Sequence, residues 1–217
     1  PQDPEVKLLA ARIALARLEY DRTLQLLKGV QGTEAAGLRG RSRWYKGELE
    51  ETVKELETVL ADPEVEDTWA KEIIKLAVDG AGARTPFTIS TTNGRLETVQ
   101  LARVSGVKLF VVSVEIDGDK ALALVSTGSA EVMIDSTARR EPSWVSLRFG
   151  ERLEVKDVPA LPKDLSDLSR RLGAPIKALI GANLLRRLRV TLDHRGRQFV
   201  ARSFDPTPPP VASRVEV

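Results

Sequence analysis

The sequence predicts an α+β chain of two modules, with all-α helical hairpins first and an all-β lobe after them. Three observations predict it. Apolar residues recur at helical spacing from Pro4 to about Val78. After Gly82 the pattern changes to short alternating runs separated by turn signals. The charge changes sign at the same place, with a net −4 over residues 1–80 and a net +6 over residues 81–217. The expected boundaries are a helical repeat-like domain over 1–80, a β domain over 84–204 and a proline-rich C-terminal tail over 205–217.

In the helical third, Val6, Leu9, Ala10, Ile13 and Ala14 share one face of a first helix, and Leu8, Leu15 and Leu18 lie on a neighbouring face. Apolar residues on more than one side predict a helix sandwiched between others. Tyr20-Asp21 opens a second segment through Leu24, Leu26 and Leu27, with Gly29 as its C-terminal cap. A third helix is expected from Glu34 to Lys46, stopping at Gly47. A fourth runs from Leu49 to Leu60 and ends before Pro63, and a fifth spans roughly Val65 to Val78. Tyr20–Leu24 and Leu49–Val53 occupy equivalent places 29 residues apart, with Leu27 and Leu56 in step. With the Trp44, Tyr45 and Gly47 cluster and Pro63, this pattern resembles tetratricopeptide repeats, whose period is about 34. The resemblance implies a small stacked array with a protein-binding groove. A helical bundle that only packs on the β domain is the other reading, and both stay open.

After Gly82, Phe87–Ser90 and Leu96–Val104 read as strands joined at Asn93-Gly94, a two-residue hairpin signal. Val107–Ile116, the turn Asp117-Gly118-Asp119 and Ala121–Val125 form a second hairpin. Val145–Val155 reads as two strands meeting near Gly150. Asp164–Leu172 is a short helix, and Arg189–Asp193 with Gln198–Ala201 makes a closing hairpin.

Two motifs in this region carry chemistry. The apolar run ending in Val125 is followed by Ser126-Thr127-Gly128-Ser129 and then Val132-Met133-Ile134. Downstream, Leu179-Ile180-Gly181 precedes a short helical segment. In this order, over about residues 84–204, they resemble retropepsin-like (retroviral-type) aspartic protease domains. The first motif of that family is Asp-Thr-Gly-Ser or Asp-Thr-Gly-Ala, and here Ser126 stands at the aspartate position. The resemblance implies a strand of the second signature packed beside the 126–129 loop, with Gly181 allowing close approach. It also implies that Gly128 permits a tight turn, that Thr127 links paired loops, and that the 145–155 strands occupy the place of the flap. A single such motif implies one lobe, and the family's active form is made from two.

The serine changes the chemistry expected of such a site. Aspartic protease catalysis uses two adjacent carboxylates that share one proton. A serine hydroxyl does not titrate near neutral pH and cannot take that role. Serving as a nucleophile instead, Ser126 needs a base. The one histidine, His194, falls in a polar turn, and no Gly-x-Ser-x-Gly elbow surrounds Ser126. Asp135 reads as a strand-end residue, and Asp117 and Asp119 as turn residues. The expected function is therefore non-catalytic. The chain is expected to bind a protein or peptide, with a homodimer formed through the lobe. An aspartic endopeptidase carrying an inactivating Asp-to-Ser replacement is the alternative. A structural component of an envelope or secreted assembly is a third reading.

Composition narrows the partners. A net charge of +2 makes no global case for nucleic acid, and no apolar run is long enough to span a bilayer. No cysteine and a single histidine leave no Cys/His metal site, and no cofactor is expected. Arg186, Arg187, Arg189, Arg195 and Arg197 are read as a solvated basic face, as are Arg39, Arg41 and Arg43. Pro206–Pro210 is read as an extended polyproline segment. A start at Pro1 is compatible with a cleaved export signal, and a periplasmic or secreted setting is preferred to a cytoplasmic one.

Overall fold

The computed structural model describes residues 3–91, 96–102, 109–193 and 195–203. The chain divides into two compact units. One comprises Pro1–Pro86, Ser136–Trp144 and Pro159–Pro162, and the other Phe87–Asp135, Val145–Val158 and Lys163–Val217.

The first unit carries helices α1 (Pro4–Ala16), α2 (Tyr20–Leu26), α3 (Thr33–Lys46), α4 (Leu49–Leu60) and α5 (Thr68–Gly80). The starts and stops follow from local chemistry. Pro4 opens α1, where a missing N–H costs nothing, and the Asp3 carboxylate accepts from the Glu5 amide. Gly47, at φ +84°, ends α3 in the left-handed conformation that glycine adopts without strain. Asp67 caps α5 by accepting from the Ala70 amide at 2.9 Å.

The repeat is more regular in three dimensions than in sequence. α1 and α3 begin at Pro4 and Thr33, and α2 and α4 at Tyr20 and Leu49, both 29 residues apart. Thr23 and Thr52 are fully buried, and each hydroxyl donates to a carbonyl one turn back, that of Glu19 and of Glu48. Leu27 and Leu56 are fully buried equivalents. Small residues, Ala11 and Gly40, sit at matching positions. A Cβ on Gly40 would lie 2.7 Å from Leu56 Cδ2, so this helix contact requires glycine. The segment 136–144 completes the unit. Trp144 packs its ring 6.3 Å from that of Trp44 and lies against Gly80, where a Cβ would come within 2.6 Å of the indole. One expectation fails here. α1 is not sandwiched, because Val6, Leu9 and Ile13 are largely exposed while only its Ala11 and Ala14 are buried.

The second unit is a barrel. Its strands are β1 (Thr88–Thr91), β2 (Leu96–Gln100), β3 (Val111–Ile116), β4 (Asp119–Val125), β5 (Val132–Asp135), β6 (Ser143–Phe149), β7 (Leu153–Lys163), β8 (Ile176–Ile180), β9 (Leu188–Asp193) and β10 (Gln198–Ser203), with Ser143–Trp144 of β6 and Pro159–Pro162 of β7 belonging to the first unit. Two short helices, α6 (Ser166–Leu172) and α7 (Ala182–Leu185), flank β8. The sheet order is β1-β7-β5-β8-β4-β3-β6, and β6 also pairs with β7, which closes a ring of six strands with β1 outside it. Closure leaves the ring without free edges. A second sheet, β2-β10-β9, contributes Phe199, whose ring stacks on Phe149 at 5.4 Å. Val111, Leu124, Leu165, Leu172, Ile176 and Leu179 form one apolar cluster of the core.

The β3–β4 hairpin forms where expected, with Val111 opposite Leu124 and a turn through Asp117 and Gly118, both at positive φ. The expected pairing across Asn93-Gly94 does not form. β1 pairs with β7 and β2 with β10, and residues 93 and 94 lie outside the described set. The hairpin signal is local, whereas each strand's partner is chosen by burial. Val99 of β2 faces Phe199 and is buried there, while β1 is a half-exposed edge.

Candidate functional site

Three strands build the 126–131 loop. β8 runs parallel to β4 and antiparallel to β5, so it is inserted between two strands that are consecutive in the chain. The loop must therefore pass over the end of β8, which brings the two sequence motifs together. The Ser126 amide donates to the Ile180 carbonyl at 3.0 Å, and Val125 lies opposite Ile180 in the parallel register. On the far side, the Ala182 amide donates to the Ser129 carbonyl at 2.8 Å and the Asn183 amide to the Ala130 carbonyl at 2.9 Å. The Ser129 hydroxyl donates to the Glu131 carbonyl at 3.0 Å. Gly181 is the pivot. A Cβ there would fall 2.1 Å from the Glu131 carbonyl oxygen, a hard clash with backbone.

Gly128 differs from the expectation. Its φ is outside the left-handed region and a Cβ would meet nothing within 4 Å, so nothing in the described residues requires glycine there. Thr127 and Gly128 are exposed, and Ser126 and Ser129 are partly buried. Leu179 and Ile180 are buried, with Leu179 in the core cluster. The loop thus offers Thr127 and Gly128 outward, while its serines are drawn towards the strand ends.

A carboxylate lies beneath the loop that sequence reasoning passed over. Glu131 is 3% exposed, and the Asn183 side chain donates to its Oε2 at 2.6 Å. A charged residue beside a loop reads as solvated, and no local signal marks it as buried. Asp135 ends β5 as expected and is held by Lys177 at 2.8 Å. Asp117 is turn chemistry, its carboxylate accepting from the Ser146 amide at 2.7 Å. His194 and the 205–217 tail lie outside the described residues.

The turn at Gly150, where the flap is expected, is pinned. The Glu97 carboxylate crowds Gly150 and accepts from the Arg152 amide at 2.7 Å. A cavity of about 660 Å³ opens beside this turn, lined by Val99, Val114, Leu122, Lys120, Arg148 and Glu151 among others. It draws on the first half of β4, whereas Ser126 follows the last residue of that strand.

The basic rows are not simple solvated faces. Arg39, Arg41 and Arg43 pair with Glu55, Asp67 and Glu48, and Arg41 also lies 4.4 Å over the Trp69 ring. Arg187 lies over Phe87, and Arg197 donates to the Leu101 carbonyl. Burial raises the Glu48 carboxyl, but hydrogen bonds from Lys46 and Arg43 outweigh it and hold that group below its ordinary range. Asp67 is likewise raised by burial and then lowered further by the Ala70 amide and Arg41. Among the described residues, no three His, Cys, Asp or Glu side chains are grouped to hold a metal ion, and no helix is long and apolar enough to cross a membrane.

No protein-family model matches the chain, and no curated protein matches it. Solved structures do. One is a retropepsin-like aspartic protease from Rickettsia conorii, at 14% identity and a TM-score of 0.36, covering 55% of this chain and 96% of that one. Another is the retroviral protease-like domain of Ddi1 from Leishmania major, at 11% identity and a TM-score of 0.32, covering 47% of this chain and all of that domain.

Proposed function

We propose that the barrel is a catalytically silent retropepsin-like lobe and that the chain acts by binding a protein or peptide. The observation that carries this reading is Ser126 itself. It takes up the first position after β4, tied by its amide to Ile180, where the proposed family places its aspartate. A lobe of this kind offers one such position, so two copies would set two hydroxyls against each other. Neither can hold the shared proton or the charge that activates water. Loss of a general base typically forfeits about 10²–10⁴ in rate. Thr127 and Gly128 remain exposed at the loop surface and would serve as contact residues, with a second copy of the lobe as one partner.

A second reading is an aspartic endopeptidase in an inactive Asp-to-Ser form. It is favoured by the loop's intact framework, in which the Ser126, Ala182 and Asn183 amides all find carbonyl partners. One experiment separates the two. The protein and its Ser126→Asp variant are incubated with a broad peptide mixture, with and without a transition-state-mimicking aspartic protease inhibitor. Sedimentation is run in parallel. Inhibitor-sensitive cleavage by the unaltered protein overturns the silent-lobe reading. Cleavage by the Asp variant alone favours the endopeptidase. An Asp variant that dimerises and stays inert removes that second reading.

A further inference from the structure

The cavity beside the Gly150 turn has the make-up of a binding site. Its volume, about 660 Å³, lies in the range of small-molecule sites. Its floor is apolar. Val114 and Ala121 face each other across the β3–β4 hairpin, and Leu122, Val99 and Pro175 complete the lining. A bulge interrupts this floor. Leu122 stands opposite Ile176 and Ala123 opposite Ala178, which leaves Lys177 as an extra residue on β8. Bulges of this kind break the ladder, re-aim a side chain and are enriched beside functional sites.

The charges around the cavity fall into two groups. Lys177 is matched by Asp135 at 2.8 Å, and Arg148 lies 3.7 Å from both Glu115 and Glu154. Lys120 and Glu151 are not matched. Both are exposed, and among the described residues neither side chain has an ion pair or hydrogen bond, with the other or with any further group. The cavity therefore presents one uncommitted cation and one uncommitted anion beside an apolar floor. The wall that carries Glu151 is fixed. The Glu97 carboxylate accepts from the Arg152 amide at 2.7 Å and from the Thr98 amide at 2.9 Å, and it fills the space that a Cβ on Gly150 would take. A wall ordered in advance lowers the cost of binding.

We propose that this cavity binds a small zwitterion with an apolar body between its charges. The carboxylate sits at Lys120, the ammonium at Glu151 and the body over Val114, Ala121 and Leu122, while Glu97 acts as a positioning residue for the turn. The site draws on the first half of β4, so the inference does not depend on Ser126 and holds whether or not the lobe cleaves peptides.

The test titrates the full chain with ω-aminooctanoate and follows the methyl resonances of Val114, Ala121 and Leu122. They should shift together and saturate, with a Kd of about 1 mM for a ligand of this size. Octanoate and octylamine each keep one charge and should bind about threefold more weakly, the scale of an exposed ion pair. Lys120→Gln should weaken ω-aminooctanoate and octanoate and spare octylamine. Glu151→Gln should weaken ω-aminooctanoate and octylamine and spare octanoate. Glu97→Ala should speed exchange of the Arg152 amide and weaken all three probes by the same factor. Tri-leucine carries the same charge pattern on a peptide backbone. Tighter binding than ω-aminooctanoate supports the proposal with a short peptide as the source, and weaker binding supports it with a non-peptide chain. The proposal is overturned if these methyls show no saturable shift up to about 10 mM ligand. It is equally overturned if Lys120→Gln and Glu151→Gln affect the three probes alike, since the charges then select nothing. Faster Arg152 exchange in Glu97→Ala with unchanged affinity overturns the role given to Glu97.

Discussion

The α-carbon of Gly181 lies so close to the Glu131 carbonyl that a Cβ would stand 2.1 Å from its oxygen. That approach lets β8 sit between β4 and β5, and it sets the level at which Ser126 leaves the barrel. The obstruction is backbone, so it cannot be relieved by a rotamer change. Gly181→Ala should cost about 3 kcal/mol or more in urea unfolding. Gly128→Ala, where a Cβ meets nothing, should stay within about 0.5 kcal/mol. Equal costs at the two positions would contradict this account of the loop.

Glu131 and Asn183 form a buried polar pair behind the same loop. Asn183→Asp would set a second carboxylate 2.6 Å from the first. It should be more destabilising than Asn183→Ala at pH 7, by about 1 kcal/mol or more, since like charges at this spacing cannot both ionise without cost. Urea titrations of the two variants at pH 7 measure it.

Glu48 and Asp67 are both held below their ordinary values, despite burial, by their hydrogen-bond donors. The sign follows from linkage. Carboxyls depressed in the folded state add stability above their unfolded values, and that stability is lost as pH falls through the folded ones. The helical unit should therefore weaken progressively below about pH 4.5, the ordinary value of Glu48. Glu48→Gln with Asp67→Asn should flatten this acid limb in Tm measured from pH 7 to 3. Asparagine keeps the N-cap of α5, so Asp67→Asn should cost less at neutral pH than Asp67→Ala, for which about 1 kcal/mol is expected.

Gly80 closes α5 against Trp144 and Leu49, whose atoms would lie 2.6 and 2.8 Å from an added Cβ. These are side chains, so some relief is available. Gly80→Ala should cost about 1–3 kcal/mol and alter tryptophan fluorescence through the Trp44–Trp144 pair. Unchanged emission and stability would show that the 136–144 segment does not pack in this way.

The sequence by itself determined the features that depend on neighbours a few residues apart. Helical spacing, Gly47 and the Leu49 start placed α3 and α4 almost to the residue. Asp117-Gly118 placed the β3–β4 turn. The 29-residue step from Tyr20 to Leu49 was visible because a repeated unit must repeat its buried positions. The association of Ser126–Ser129 with Leu179–Gly181 was legible only through a family pattern, not from spacing.

Tertiary structure alone decided which strands pair, because pairing is settled by burial at long range and not by local propensity. That is why β1 and β2 part company at Asn93-Gly94, and why 136–144 joins the helical unit. It also decided which charges are interior. Glu131 and Glu5 look alike in sequence, yet one is sealed under a loop with Asn183 and the other stands exposed at the start of α1. The bare stripe above Glu5 is the same kind of distinction. Val6, Leu9 and Ile13 have a core pattern, and only the packed array shows that they are exposed.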